Sequence, residues 1–127
     1  MHRIVIVLPL PPSVLNPNNS PRTAKGHKFK HFAKVAARKR AQTETWVMLG
    51  GKHGPMWPAA LMRIRAFFPT MTFWDDDNLI SACKPYRDGI ARAGMVIDDK
   101  FIRNGGPVAM AKDAANPRVE IELTRCL

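Results

Sequence analysis

Acidic side chains are scarce in this sequence, yet five of its seven aspartates occupy two short stretches, 75–77 and 98–99. Like charges held close together repel each other, and the repulsion is stronger where they are partly buried. A divalent cation offsets that repulsion, and Mg²⁺ binds one or two carboxylates together with the oxygens of a substrate phosphate. An isolated Asp-x-Asp pattern is more often a loop or a helix cap, but the combination of both stretches in a basic chain predicts a metal site.

Geometry selects candidate ligands within the first stretch. In an extended segment alternate side chains project to opposite sides, so Asp75 and Asp77 point together and Asp76 points away. After a helix-sized segment the chain reaches Asp98 and Asp99, either of which can supply a third carboxylate. A cation held there would polarise a phosphoryl oxygen and supply a hydroxide for phosphodiester hydrolysis.

A polar stripe begins at the same carboxylates. Counting from Asp77, the residues Ser81, Lys84 and Asp88 follow at steps of four, three and four, which keeps them on one helix face. Lys84 is then able to hold a phosphate or to stabilise negative charge in a transition state. Alone, Lys84 and Asp88 would be an ordinary exposed helical pair.

The charge balance indicates the kind of partner. Lys and Arg outnumber Asp and Glu by 20 to 10, which gives a net charge of +10, and the first acidic residue is Glu44. Nucleic acid or an anionic membrane face fits such a chain, whereas a solvated basic surface is the alternative. We expect backbone phosphate contacts from the basic residues of the first third, namely Arg22, Lys25, Lys28, Lys30, Lys34 and Arg38.

Length and cysteine content limit the class of protein. The 127 residues suit one domain covering 1–127, and no stretch approaches the roughly 20 apolar residues of a membrane span. The cysteines, Cys83 and Cys126, have neither disulfide-framework nor zinc spacing. Prolines interrupt the apolar N-terminal run, so we do not expect a signal peptide. These features favour a cytoplasmic protein without a membrane partner.

The elements that must position the aspartates follow from periodicity. Richness in Ile and Val predicts a strand at Arg3–Leu8, and alternation of apolar and polar residues predicts a strand at Ala60–Phe68. A loop is expected over 13–27, followed by a helix over 28–49 that buries the residues Phe29, Phe32, Ala33, Ala36 and Val47.

A second helix is expected over 78–93, capped by Asp77 or Asn78, ended by Gly94, and kinked or split at Pro85. Its apolar stripe consists of Leu79, Cys83, Tyr86, Ile90 and Ala93. A short strand at 101–104 and a closing pair of strands at 108–112 and 119–124 complete a mixed α/β (α+β) fold, in which one mixed sheet packs against two main helices.

The stretch Asp75-Asp76-Asp77-Asn78-Leu79, followed by Tyr86-Arg87-Asp88-Gly89-Ile90, Gly94 and Asp98-Asp99, resembles the core of the RusA-like Holliday-junction resolvases. The early Leu8-Pro9-Leu10-Pro11-Pro12-Ser13 is similar to the N-terminal segment of that family. The resemblance implies a small homodimer, often encoded by phages or prophages, that binds four-way DNA junctions and makes paired nicks with Mg²⁺ or Mn²⁺. It implies Asp75, Asp77 and Asp99 as the essential acidic residues and metal ligands, with Asp98 supporting or capping.

One position departs from the family pattern. The catalytic lysine of the family commonly follows the second aspartate by four residues, where this chain has Ser81. Lys84 lies three residues later, near the same helix face, and is the expected replacement. Two other functions compete with the nuclease: a non-catalytic basic nucleic-acid-binding protein, and a nucleotidyltransferase with a metal-binding Asp-x-Asp. A nucleotidyltransferase would be expected to have a Gly-Ser element ahead of these aspartates, and this chain has none there.

Overall fold

Side chains that alternate between the core and the other face of the sheet characterise the three longest strands of this protein. The computed structural model describes residues 1–19 and 21–126, and within them a five-stranded sheet forms. The strands are β1 (Arg3–Leu8), β2 (Ala60–Phe68), β3 (Ile102–Asn104), β4 (Ala109–Lys112) and β5 (Arg118–Arg125). In β1, β2 and β5 every second side chain is buried, as expected where helices cover one face of a sheet.

Strand β2 lies at the centre of the sheet. It runs antiparallel to β5, which pairs in turn with β1, while β3 and β4 run parallel to β2 along its other edge. The two closing strands are confirmed as β4 and β5, but each pairs with β2, which lies between them. The buried alternation Val119, Ile121, Leu123 suits β5 to an interior position, whereas the short and mostly exposed β4 stays at an edge.

In the described part of the chain, three helices cover the buried face: α1 (Ala24–Met48), α2 (Asp76–Ala82) and α3 (Lys84–Arg92). The same residues also contain three short 3₁₀ turns, at Ser13–Leu15, Pro17–Asn19 and Asp99–Phe101. The mixed fold with one sheet and two main helices, the second of them split, is therefore confirmed. Among the described residues, none of the helices combines the length and the apolar character needed to cross a bilayer.

The second predicted helix is observed as two consecutive helices, α2 and α3, and most of its predicted features are present. The predicted apolar stripe from Leu79 to Ala93 is buried throughout. The helix divides at Cys83, and Pro85 falls in the first turn of α3, where its missing N–H costs no helical hydrogen bond. Gly94 ends the pair with φ of +91°. The predicted cap was wrong, because Asp75 is the N-cap residue and makes no side-chain capping hydrogen bond.

Helix α1 differs from its prediction in two respects. It begins at Ala24, four residues early, because the Thr23 hydroxyl accepts the N–H of Gly26 at 3.0 Å and caps the helix. The predicted loop over 13–27 therefore contains two 3₁₀ turns and the first turn of α1. The predicted buried face was also wrong: Phe29 and Phe32 are 68% and 58% exposed, and α1 buries its small residues Ala37, Ala41 and Thr45 instead.

Small residues let α1 approach α3 closely. A Cβ at Gly89 would overlap the carbonyl oxygen of Arg38 and would lie 3.0 Å from the Cβ of Ala41. Gly89 is therefore required by the helix contact itself. This explains why the buried face of α1 is formed by alanines and a threonine while its phenylalanines face outward.

We predict that Gly89→Ala destabilises the fold by about 1–3 kcal/mol, the usual cost of forcing one extra carbon into a packed interior. The free energy of unfolding in urea measures the effect. Ala36→Leu serves as the control, because Ala36 lies on the exposed face of α1 and surface changes usually stay within about 0.5 kcal/mol. A Gly89→Ala variant as stable as the control would contradict the close contact.

Candidate active site

A cavity of about 590 Å³ lies between α1 and the junction of α2 with α3. The predicted polar stripe supplies Ser81, Lys84 and Asp88 to its wall, and Asp99 joins them from the 3₁₀ turn Asp99–Phe101. The stripe and the second acidic stretch, distant in sequence, therefore meet at one site. The opposite wall is basic and comes from α1, which contributes Lys30, His31, Lys34 and Arg38.

Asp98 and Asp99 have different structural roles. The carboxylate of Asp98 accepts the N–H of Lys100 at 3.1 Å and caps the 3₁₀ turn. Asp99 is partly buried and lines the cavity. Sequence spacing left the choice between them open, and the capping role of Asp98 leaves Asp99 as the carboxylate that faces the cavity.

Neighbouring groups perturb both carboxyls. The N–H of Lys100 holds the pKa of Asp98 below its ordinary value, and a hydrogen bond with Asp99 acts in the same direction. That hydrogen bond raises the pKa of Asp99, and so do partial burial and the negative charge of Asp88, while Arg87 opposes them. The carboxyl groups of Asp88, Asp98 and Asp99 therefore lie close enough to disfavour the ionised form of Asp99. Carboxylate oxygens are the ligand type that Mg²⁺ and Mn²⁺ prefer.

The first acidic stretch lies at the start of α2. Asp75 and Asp77 are exposed, and Asp77 precedes the cavity residue Ser81 by one helical turn, a spacing of about 5–6 Å between Cβ atoms. Asp77 is thus on the cavity side of α2, beyond the wall itself. Within residues 1–19 and 21–126, no three acidic, His or Cys side chains lie close enough together to hold a metal ion. The ligand set Asp75, Asp77 and Asp99 therefore stays a prediction.

Asp76 contacts a different part of the fold. Its Oδ2 accepts the N–H of Val108 at 3.3 Å, just before β4. This contact ties the start of α2 to the edge of the sheet. The expected extended geometry of 75–77 was wrong, because Asp76 and Asp77 form the first turn of α2 and helical residues two apart, such as Asp75 and Asp77, do not share a face.

The basic residues divide into two groups. Of the six predicted phosphate contacts, Lys30, Lys34 and Arg38 line the cavity. The others, Arg22, Lys25 and Lys28, are exposed around the first turn of α1, outside the cavity wall formed by the described residues. Lys30, Lys34 and Arg38 follow one another at steps of four and share the face of α1 that lines the cavity.

Two cavity residues were missed as site residues by the sequence analysis. Asp88 lines the cavity near Asp99 and also receives Arg92 Nε at 3.4 Å, and its place on the polar stripe was a usable signal. Arg87 lies on the same wall and acts on the pKa of Asp99. Nothing in its local spacing marks it, because its position depends on how α3 packs against α1.

A long-range hydrogen bond attaches α3 to the proline segment that leads into another part of the cavity wall. The hydroxyl of Tyr86 donates to the carbonyl oxygen of Pro9 at 2.7 Å, and burial raises the pKa of Tyr86. This bond joins α3 to the proline segment after β1. Leu15 and Pro17, which follow that segment, form part of the cavity wall.

Comparison with known proteins adds one relative. No protein-family model matches the chain. The chain is similar to an uncharacterized protein of Xylella fastidiosa (strain Temecula1), with 32% identity over 97 residues that cover 76% of this chain and 61% of that protein. The chain thus spans less than two thirds of the length of this relative, whose description names no activity.

We predict that Asp88→Asn lowers the pKa of Asp99. The change removes a negative charge that disfavours the ionised Asp99 carboxylate, so Asp99 should lose its proton at lower pH. A ¹³C NMR titration of the Asp99 carboxyl carbon, in the presence of chelator, measures the midpoint. Asp113→Asn is the control, because Asp113 is paired with Arg118 and does not act on Asp99. An unchanged or higher midpoint in Asp88→Asn would contradict the described geometry.

Proposed function

We propose that the protein is a metal-dependent endodeoxyribonuclease that resolves four-way DNA junctions by paired phosphodiester cleavage. The observation that carries this proposal is the cavity in which Asp99 and Asp88 face a basic wall from α1. Carboxylates placed among phosphate-binding cations would repel DNA, unless a cation bound between them turns that repulsion into attraction. A hydrolytic site needs this arrangement, and a simple binding surface gains nothing from it.

Each group then has a defined task. Lys30, Lys34 and Arg38 hold the DNA backbone, whose contacts give affinity without reading sequence. Asp75, Asp77 and Asp99 would hold Mg²⁺ or Mn²⁺, which supplies charge neutralisation at the phosphoryl oxygen and an activated water. Lys84, exposed at the start of α3 and on the cavity wall, stabilises the negative charge that develops on the phosphate.

The resemblance to the RusA-like resolvases supports the substrate and the assembly. Paired nicks require two active sites, which a homodimer provides. In this role the chain acts in the cytoplasm of a bacterial or phage-infected cell, where branched DNA arises.

A non-catalytic nucleic-acid-binding protein is the second candidate. The exposed basic residues Arg22, Lys25 and Lys28 favour it, because they lie outside the cavity and suit backbone contacts of any kind. The two candidates differ in one respect: only the nuclease requires the carboxylates.

We predict that Asp75→Asn, Asp77→Asn and Asp99→Asn each slow cleavage of a synthetic four-way junction by more than about 100-fold, because metal binding supplies several kcal/mol of charge stabilisation. Binding of the junction in chelator should be kept or strengthened, since a repulsive charge is removed. Cleavage is measured on the junction and on a matched linear duplex, with Mg²⁺ and with chelator.

Glu44→Gln is the matched control, because it removes one carboxylate from an exposed i,i+4 ion pair on α1. It should cut at the wild-type rate. Wild-type cleavage rates in the three aspartate variants would overturn the ligand assignment. Junction binding without any Mg²⁺-dependent cleavage by the wild type would favour the non-catalytic binder.

We also predict that Lys84→Ala slows cleavage about 100-fold while changing junction affinity only slightly, because its charge is needed mainly in the transition state. Single-turnover rates and dissociation constants separate the two effects. Lys52→Ala, an exposed lysine after α1, is the control and should change neither. Equal losses of rate and affinity in Lys84→Ala would make Lys84 a docking residue.

A further inference from the structure

Two arginines of the cavity lack an acceptor for a buried nitrogen. The Nε atoms of Arg38 and Arg87 are buried and have no hydrogen-bond partner in the part of the chain that the structure describes. Buried donors in proteins are nearly always paired, and each exception calls for an explanation such as an ion or a ligand. Both side chains line the same cavity.

The two cavity carboxylates form no ion pair with these arginines among the described residues. Asp88 receives Arg92 instead, and none of the ion pairs in that part of the chain involves Asp99. Among the described residues, five arginines outside this cavity form ion pairs with carboxylates: Arg3, Arg40, Arg65, Arg92 and Arg118. Arg38 and Arg87 form no such ion pair in that part of the chain, so their guanidinium groups are free to bind an anion from outside.

The backbone fixes the two arginines relative to each other. Arg38 lies on α1 and Arg87 on α3, so they belong to opposite walls of the cavity. The helices meet beside them, where Gly89 contacts the Arg38 carbonyl oxygen. The walls can neither close further nor shift without disturbing this contact. The separation of the two helix walls that carry these arginines is therefore set by the fold before any ligand binds.

We propose that Arg38 and Arg87 form a site for one phosphate group of the DNA backbone, beside Asp99. This inference deepens the proposed nuclease function and rests on it for the identity of the substrate. A guanidinium presents a planar fork of donors that matches phosphate oxygens, and a phosphodiester offers two unesterified oxygens. The cavity wall carries five cationic side chains against two carboxylates, which favours an anionic ligand.

The site gives the two arginines a positioning role in cleavage. A phosphate held between α1 and α3 would occupy the cavity that Asp99 and Lys84 also line. The remaining DNA then follows the basic face of α1 toward Lys30. Arg87 is thereby assigned a contact with the substrate that its sequence position does not indicate.

The test measures binding to the four-way junction by fluorescence anisotropy in chelator, for Arg38→Gln, Arg87→Gln and the control Arg40→Gln. Arg40 lies on the same helix but is exposed and paired with Glu44, so its loss removes the same charge without touching the site. We expect about a 10-fold loss of affinity beyond the control in each site variant. We also expect the slope of log affinity against log salt concentration to become less negative by about 0.9, as for the loss of one phosphate contact.

Two charge-preserving variants distinguish hydrogen bonding by a guanidinium held in place from non-specific electrostatic attraction. Arg38→Lys and Arg87→Lys keep the net charge, yet each loses the planar fork, so both should bind more weakly than the wild type. Thermal unfolding of every variant shows whether the fold is intact. If a Gln variant is unfolded, the Lys variant of the same residue carries the test. Lys variants that bind like the wild type would overturn the site.

Three further outcomes are distinguishable. Gln variants that bind like Arg40→Gln, while the wild type cleaves junctions with Mg²⁺, would overturn the phosphate site and leave the nuclease proposal standing. Gln variants that lose affinity, although the wild type cleaves nothing, would support the phosphate site and remove the nuclease. Inorganic phosphate that raises the wild-type melting temperature at constant ionic strength, with DNA affinity unchanged in the variants, would overturn the assignment to the DNA backbone.

Discussion

The contact of α1 with α3 at Gly89 is the constraint on which the rest of the structure depends. Without a Cβ at this position, the Arg38 carbonyl and the Ala41 side chain approach α3 directly. That approach determines which face of α1 is buried, and it consequently places the basic residues of α1 opposite the carboxylates of the cavity. A wider separation would still give a helix-covered sheet, but the two walls of the candidate site would no longer face each other.

The arrangement of charges in the cavity lowers the stability of the fold. Asp99 is held beside Asp98 and Asp88, which raises its pKa, and the basic wall does not neutralise it through a direct ion pair among the described residues. Arg38 and Arg87 bury donors without acceptors in the same place. Opposite charges that remain unpaired within one cavity are costly to a fold, and such costs are typical of sites that bind external ligands.

The sequence predicted local elements better than it predicted contacts. The stripe of the second helix, its break near Pro85 and its stop at Gly94 all follow from spacing and from residue chemistry. The buried face of α1 was wrong because hydrophobicity favours Phe29 over Ala37, whereas the tight helix contact admits only small side chains. The acidic clusters and Lys84 were found as candidates. Arg87 was not, because its importance arises from packing between elements distant in sequence.

The break in the second helix also bears on the departure at Ser81. In one continuous helix, a lysine moved by three residues would turn by about 60° away from its original direction. Here α2 ends at Ala82 and a new helix begins at Lys84, so Lys84 stands in a first turn where Pro85 is well tolerated. Ser81 and Lys84 consequently line the same cavity. The helix break at Cys83 and the proline in the first turn of α3 together leave Lys84 on the cavity wall.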